Sequence, residues 1–315
     1  MNLISKPLSL CSISVSSPYR YSMNPNCLFF FLRFKGFYGF IDGCGLSILD
    51  FFVGAWDRRK SLLGLAGDFM IRLMRMRLVM RSSSDEPVSL SLGYNHLVQA
   101  AIYNSISREL ADFLHDRGFL LGRRAFKLFT FSRLLGRYRV GKGVISYLGD
   151  ITLYISSPIE RFVRELANSM VKKGFLSLGR NKLKIVELGF PKQPNVRNEV
   201  RIRMLSPVTV YSTLYTAENK KKTYYYSPYE REFSKLISEN AKKKFFLIYK
   251  RAIKTGLTVK PLKVRENIVM YKNTVVKGWM GTFVLKGPKK LIQTVWDAGM
   301  GSKNPQGFGM FEVIE

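Results

Sequence analysis

The sequence predicts an α+β fold made of two split βαββαβ units in tandem, and three observations carry that prediction. Short runs of alternating apolar residues, the mark of half-buried strands, are interleaved with longer stretches of helical spacing. The order strand–helix–strand–strand–helix–strand occurs once between Met76 and Phe190 and again between Glu199 and Ile314, which is the ferredoxin-like order. The chain has 315 residues, 46% of them hydrophobic, enough for two ordinary domains with real cores.

Met76-Arg-Leu-Val-Met80 alternates and reads as the first strand, and Ser82–Pro87 is a turn cluster. A helix starts near Asn95 with Leu97, Ala100, Ala101 and Asn104 on one side. Phe126–Phe131 reads as a strand, and Gly143–Ile155 as another strand or a hairpin. Pro158 opens a helix over Ile159–Lys173, where Phe162, Val163, Leu166, Ala167 and Met170 recur at helical spacing and Gly174 stops it. Leu183–Phe190 alternates again, and Pro191–Pro194 reads as a linker. The second cycle has a strand over Glu199–Val210, a helix within Glu230–Tyr249 and paired strands Val264–Met270 and Lys277–Lys286. A helix from Pro288 through Trp296 and a last strand over Phe308–Ile314 close it. The expected domains are residues 74–192 and 196–315.

Residues 1–70 read differently. They carry a net charge of +3, against +26 for the rest, and no regular period. Their uncharged stretches are broken by Arg20, Arg33 and Lys35, so a spanning helix of ~20 apolar residues does not fit. The run after Lys6 is half Ser and Pro, unlike the apolar core of a signal peptide. Met70, Met74, Met76 and Met80 cluster where the regular pattern begins. The expectation is translation from Met74 or Met76, with an accessory segment whose aromatics bury on the body as the alternative.

The formal charge is +29, far beyond what solubility needs, which points to a polyanionic partner such as nucleic acid. All three cysteines, Cys11, Cys27 and Cys44, lie near the N-terminus, so the body has neither a disulfide framework nor a Cys/His zinc site. A reducing, cytoplasmic compartment is expected. His96 and His115 are the two histidines. There is no G-x-S-x-G sequence and no carboxylate cluster of the two-metal nuclease kind. Neither metal nor cofactor is expected.

The most specific stretch is Gly299-Met-Gly301-Ser-Lys303-Asn304-Pro-Gln-Gly307-Phe308-Gly309, four glycines and a cation in eleven residues before the last strand. Glycines permit φ > 0 and close approach of another chain. Successive free N–H groups form an anion nest, and a nest beside Lys303 suits a phosphate chain. A plain glycine-rich turn between helix and strand is the alternative. This G-x-G-x-K-N-x-x-G-F-G string resembles the C-terminal signature of the RAMP superfamily of CRISPR-associated RNA-binding proteins. Within it, the chain from about Met74 to Glu315 looks most like the endoribonucleases that process the CRISPR repeat transcript, the pre-crRNA, into guide RNAs.

The resemblance implies two ferredoxin-like domains and a metal-independent cut by a tyrosine, a histidine and a lysine. The matching positions are Tyr103 in Ala101-Ile-Tyr103-Asn104, His115 in Phe113-Leu-His115-Asp116 and Lys127 in Phe126-Lys127-Leu. The chemistry supports the set. RNA brings its own nucleophile, the 2′-hydroxyl, so cleavage needs a base, a cation for the phosphorane and an acid for the leaving oxygen. Histidine, with a reference pKa near 6.5, suits the base, Lys127 the cation, and Tyr103 a phosphate-positioning group or acid. On one straight helix Tyr103 and His115 would lie about 18 Å apart. Asn104–Ser107 interrupts the helix, with Ser107 as N-cap and Glu109 in the next first turn.

Further RNA contacts are expected from Gly299, Gly301, Lys303, Asn304, Gly307, Phe308 and Gly309. Lys220, Lys221 and Lys222 beside Tyr224–Tyr226 combine cations with stacking faces, although a solvated hairpin tip reads the same. Arg123 and Arg124 flank the first-unit strands, where a polar sheet face is the alternative. His96 reads as a capping or RNA-contact residue. The expected partner is CRISPR repeat RNA, with effector-complex subunits as further candidates, no membrane, and a monomer or homodimer. The rival reading is a non-catalytic RAMP subunit that binds guide RNA in an effector complex.

Overall fold

In chain order the first unit runs β1 (Arg75–Ser82), β2 (Val88–Ser91), α1 (Asn95–Tyr103), α2 (Arg108–Asp112), β3 (Phe119–Leu121), β4 (Arg124–Phe126), β5 (Thr130–Phe131), β6 (Tyr138–Gly141), β7 (Val144–Tyr147), β8 (Ile151–Ser156), α3 (Glu160–Lys173), β9 (Phe175–Leu178) and β10 (Asn181–Gly189). The second runs β11 (Glu199–Met204), β12 (Tyr211–Tyr215), β13 (Lys221–Tyr225), α4 (Arg231–Tyr249), β14 (Thr258–Tyr271), β15 (Thr274–Lys286), α5 (Lys289–Ala298) and β16 (Phe311–Val313). The structure, a computed structural model, describes residues 74–84, 86–215 and 217–314. The readings of residues 1–70 and of the three cysteines lie outside the described residues.

Each unit is a split βαββαβ. The first sheet has the order β5-β8-β1-β10-β9 and the second β14-β15-β11-β16. In both, the first strand sits at the centre with the third and fourth strands antiparallel beside it. Period-two alternation explains why. In β1, Met76, Leu78 and Met80 are wholly buried on one face, as side chains at i, i+2 and i+4 of a strand must be. Helix α3 then covers that sheet through Phe162, Val163, Leu166, Ala167 and Met170. Burial of such a side chain is worth about 1.5–3 kcal/mol. Gly174 ends α3 in the left-handed conformation, as its sequence position suggests.

Five local expectations are corrected. Helix α1 buries Val98, Ala101 and Ile102, an i, i+3, i+4 stripe, and leaves Ala100 and Asn104 exposed. The strand expected over Phe126–Phe131 is two strands, interrupted at Lys127–Phe129 where Leu128 has φ 52°. The strand expected over Glu199–Val210 stops at Met204, because Ser206 and Pro207 lead into a turn whose Val208 pairs in isolation with Trp279. The last strand is shorter than expected, and the β14–β15 hairpin longer, reaching Tyr271.

The two units share a buried seam. Arg75, 4% exposed, donates to Phe311 O at 2.8 Å and Trp296 O at 2.7 Å. Its guanidinium lies 3.8 Å from the Trp296 ring centroid. Burial pulls its pKa down to about 9 against the field of Asp297. A chain begun at Met76 would lack this residue and its two hydrogen bonds across the seam. A small apolar cluster of Phe126, Leu128, Leu247 and Ala298 joins β4 to α4 and α5. No helix among the described residues is long and apolar enough to cross a membrane.

Candidate active site

Tyr103 ends α1, and Asn104 caps it through a backbone bond to Ala100 O. The chain then turns and restarts at α2. Ser107 holds the N-cap position but gives no side-chain cap. Its amide donates instead to Glu165 at 2.9 Å, and Arg161 bridges Glu165 and Glu109, pinning α2 to α3. After α2 the helix widens to a π turn over Phe113–Arg117, closed by Gly118 N–H to Phe113 O at 2.6 Å. Such single π turns often sit at functional sites. This one swings His115 back toward Tyr103. The two rings meet edge-on, centroids 5.9 Å apart, far closer than a straight helix allows. Tyr103 is seated on Phe129 at 5.7 Å, which stacks in turn on Phe162 at 5.0 Å.

Lys127 arrives from the opposite side. The interruption between β4 and β5 turns its side chain toward the π turn, where its ammonium donates to His115 O at 2.6 Å. Two backbone features make that possible. Leu128 takes a positive φ, which is costly for a branched residue, and is held there by burial and by Ser157 Oγ donating to its carbonyl at 2.8 Å. Gly118, with φ +65°, leaves room: a Cβ there would lie 2.8 Å from Phe126 O and 3.0 Å from Lys127 Cδ. The structure thus brings Tyr103, His115 and Lys127 into one patch.

The electrostatics give each group a direction. Burial, with a smaller contribution from Tyr271, pushes Tyr103 up to about 12, so it is a neutral hydrogen-bond donor at neutral pH. His115 Nδ1 faces Asp116 Oδ1 at 2.7 Å. A carboxylate accepts only, so Nδ1 is the donor in that contact, which leaves Nε2 as the nitrogen for a substrate. The pair is largely exposed and thus open to a large substrate. Partial burial lowers Lys127, opposed by Asp116. No group of three or more metal-ligating side chains occurs among the described residues.

The glycine-rich loop lies elsewhere, between the units. Met300, Ser302, Gln306, Gly307 and Gly309 donate their amides to the chain's own carbonyls, so those N–H groups are not a free nest. Phe308 is wholly buried and Asn304 nearly so, so neither side chain of these two expected RNA contacts is open to a ligand in this conformation. Thr130 Oγ1 donates to Phe308 O at 3.0 Å and Asn95 Nδ2 to Gln306 O at 2.8 Å, tying the loop to the first unit. Gly299 and Gly301 take positive φ and Gly309 packs against Met300 O. Sequence reasoning missed Lys244, a buried lysine of α4 that donates to Gly299 O, Gly301 O and Asn304 Oδ1. Burial pulls its pKa down to about 7.

Gly307 shows what the loop costs to disturb. Its φ is +83°, and a Cβ would come within 2.5 Å of the Phe131 ring. Gly307→Val is expected to destabilise the protein by about 2–5 kcal/mol, combining left-handed strain with overpacking. Thermal melting checks this; an unchanged Tm with lost RNA affinity would instead make the glycine a phosphate-contact position.

Of the other predicted contacts, Lys303 is half-buried with its ammonium 5.0 Å from the Tyr211 ring. Lys220, Lys221 and Lys222 are exposed on and before β13. Arg123 and Arg124 are exposed at the β3–β4 turn. His96 hydrogen-bonds Gly93 O at 2.8 Å in the first turn of α1. Sequence reasoning also missed Tyr271. It sits at the tip of the long hairpin and donates to Gln99 Oε1, one helical turn before Tyr103. An aromatic at a β-hairpin end was its only signal.

Comparison with known proteins agrees with this layout. Residues 89–188 match the family described as CRISPR-associated protein Cas6, N-terminal, and residues 190–313 match CRISPR associated protein Cas6, C-terminal. The curated CRISPR-associated endoribonuclease Cas6 1 of Methanocaldococcus jannaschii is 28% identical over 251 residues, spanning 76% of this chain and 93% of that protein. A solved structure named CRISPR associated protein Cas6 superposes with a TM-score of 0.64 at 25% identity, covering 77% of this chain and 99% of the other. Another, described as an RAMP protein binding different RNA substrates, gives 0.67 at 24% identity over 77% and 100% of the two chains. With both Cas6 halves matched in order and the same fold beneath them, the chain belongs to the Cas6 family of CRISPR-associated proteins.

Proposed function

We propose that the protein is an endoribonuclease that binds CRISPR repeat RNA and cuts the precursor transcript into guide RNAs without a metal ion. The observation that carries this reading is the meeting of Tyr103, His115 and Lys127 on one exposed patch, from three separate elements. The curated relative's name, an endoribonuclease, supports it. A non-catalytic subunit would need none of these contacts.

His115 Nε2 takes the proton of the 2′-hydroxyl beside the scissile phosphate. The freed O2′ attacks phosphorus, forming a phosphorane whose added charge faces Lys127. Tyr103, neutral at working pH, donates a hydrogen bond to a non-bridging oxygen. The P–O5′ bond then breaks, and the leaving oxygen takes a proton from Lys127, the more acidic of the two donors. The products are a 2′,3′-cyclic phosphate upstream and a 5′-hydroxyl downstream. Lys127 must let go of His115 O to reach substrate, a rearrangement compatible with catalytic bonds that tighten only when substrate is bound. Affinity comes mainly from phosphate contacts, for which Lys303, Lys220, Lys221, Lys222, Arg123 and Arg124 are the proposed donors.

Incubation with repeat RNA in excess EDTA tests the reaction class. One internal cut ending in a cyclic phosphate is expected at the rate seen in Mg²⁺; cutting that returns only with Mg²⁺ would overturn the metal-free mechanism.

A further inference from the structure

The β12–β13 hairpin of the second unit carries, beside the lysines already proposed to hold phosphate, a set of tyrosines to which the chemistry above gives no role. Cross-strand partners point to the same side of a hairpin. Tyr211 faces Tyr225, Thr213 faces Thr223, and Tyr215 faces Lys221. One side therefore carries Tyr211, Tyr225 and Tyr215 together with Lys221, and Tyr215 is 61% exposed. At ~3.3 Å per residue, Tyr211 and Tyr215 lie about 13 Å apart. The rings of Tyr211 and Tyr225 are in contact, centroids 5.8 Å apart, and the ammonium of Lys303 lies 5.0 Å from the Tyr211 ring on the loop side.

This row does not end in solvent. Tyr225 Oη donates to Val275 O at 3.2 Å. Val275 pairs with Met270 at the tip of the β14–β15 hairpin, and the adjoining Tyr271 binds Gln99 on the helix that ends in Tyr103. A chain of contacts thus runs from the Lys303–Tyr211 pair to the helix that carries Tyr103.

We propose that this hairpin is a stacking subsite for unpaired nucleotides of the RNA substrate: Tyr211 and Tyr225 hold bases, and Lys303 and Lys221 hold the phosphates between them. The inference rests on the RNA-cleaving reading for its ligand but not for its geometry. Three features favour an RNA strand over a protein partner. The cations are interleaved with ring faces rather than separated from them. Ring faces accept any base. The chain carries +29 overall, which calls for a polyanion. Unpaired nucleotides are required because a ring can stack only on a base that has left its duplex.

Fluorescence anisotropy with labelled octamers of U and of A, with a duplex of equal length and with the full repeat tests the subsite. The wild type is compared with Tyr211→Ala/Tyr225→Ala, Tyr211→Phe/Tyr225→Phe and Lys303→Ala, with melting temperature measured for each. Two stacked bases at about 1 kcal/mol or more each predict at least a thirtyfold loss for the alanine pair on the octamers. The phenylalanine pair should stay within about threefold of wild type and duplex binding should be unchanged. The alanine pair should keep the salt slope of log affinity, whereas Lys303→Ala should lower it by about one. Octamer binding unaffected by the alanine pair, or an equal loss for duplex, would overturn the proposal. So would an equal loss for the phenylalanine pair. A wild type that binds octamers in this pattern yet never cuts repeat RNA would sink the nuclease reading and leave the subsite standing.

Discussion

His115→Ala is expected to lower the single-turnover cleavage rate of repeat RNA by about 10²–10⁴-fold, the range of a positioned general base, while repeat affinity stays within about threefold. The two effects separate because a base acts in the transition state, whereas affinity rests on phosphate contacts spread over a cationic surface. The side chain is largely exposed and bonds only to its neighbour Asp116, so its loss leaves no cavity and no buried orphan. The Tm should hold. His115→Ala cutting near the wild-type rate would remove His115 from the mechanism; a matching loss of affinity would recast it as a binding residue.

Much of this was legible in the sequence. The order of elements predicted both ferredoxin-like units, because alternation and helical spacing report which face each segment buries. Tyr103, His115 and Lys127 were legible as residue types on a family pattern, and the break at Asn104–Ser107 was visible as polar residues that compete with helix. What brought the three together was not. The π turn at Phe113–Arg117 has no composition of its own; in the fold its Phe113 ring packs edge-on against Phe119. The positive φ at Leu128 contradicts that residue's intrinsic preference and is imposed by burial of Leu128 against Leu247 and Ala298. Both are tertiary overrides of local preference.

The glycine-rich loop teaches the complementary lesson. Glycine was read as room for a phosphate, but at Gly307 and Gly309 the space is filled by the protein's own Phe131 ring and Met300 carbonyl. A sequence shows that a Cβ is unwelcome and not what excludes it. Lys244 was hidden for a related reason: a lysine on a helix reads as solvated, and only the fold reveals three oxygens converging on it.

In the proposed mechanism the substrate supplies its own nucleophile to this three-residue patch. Repeat RNA carrying a single 2′-deoxyribose immediately upstream of the cut site measures that directly. With the attacking oxygen gone, no residue of the patch can replace it: Tyr103 is a phenol pushed up to about 12 and half-buried against Phe129, and Lys127 is a cation held by a carbonyl. Binding equal to that of the all-ribose RNA is expected, with cleavage at that position below detection. Cleavage of the deoxy substrate at a rate comparable to the all-ribose RNA would contradict the mechanism, because the nucleophile would then have to come from water or from the protein.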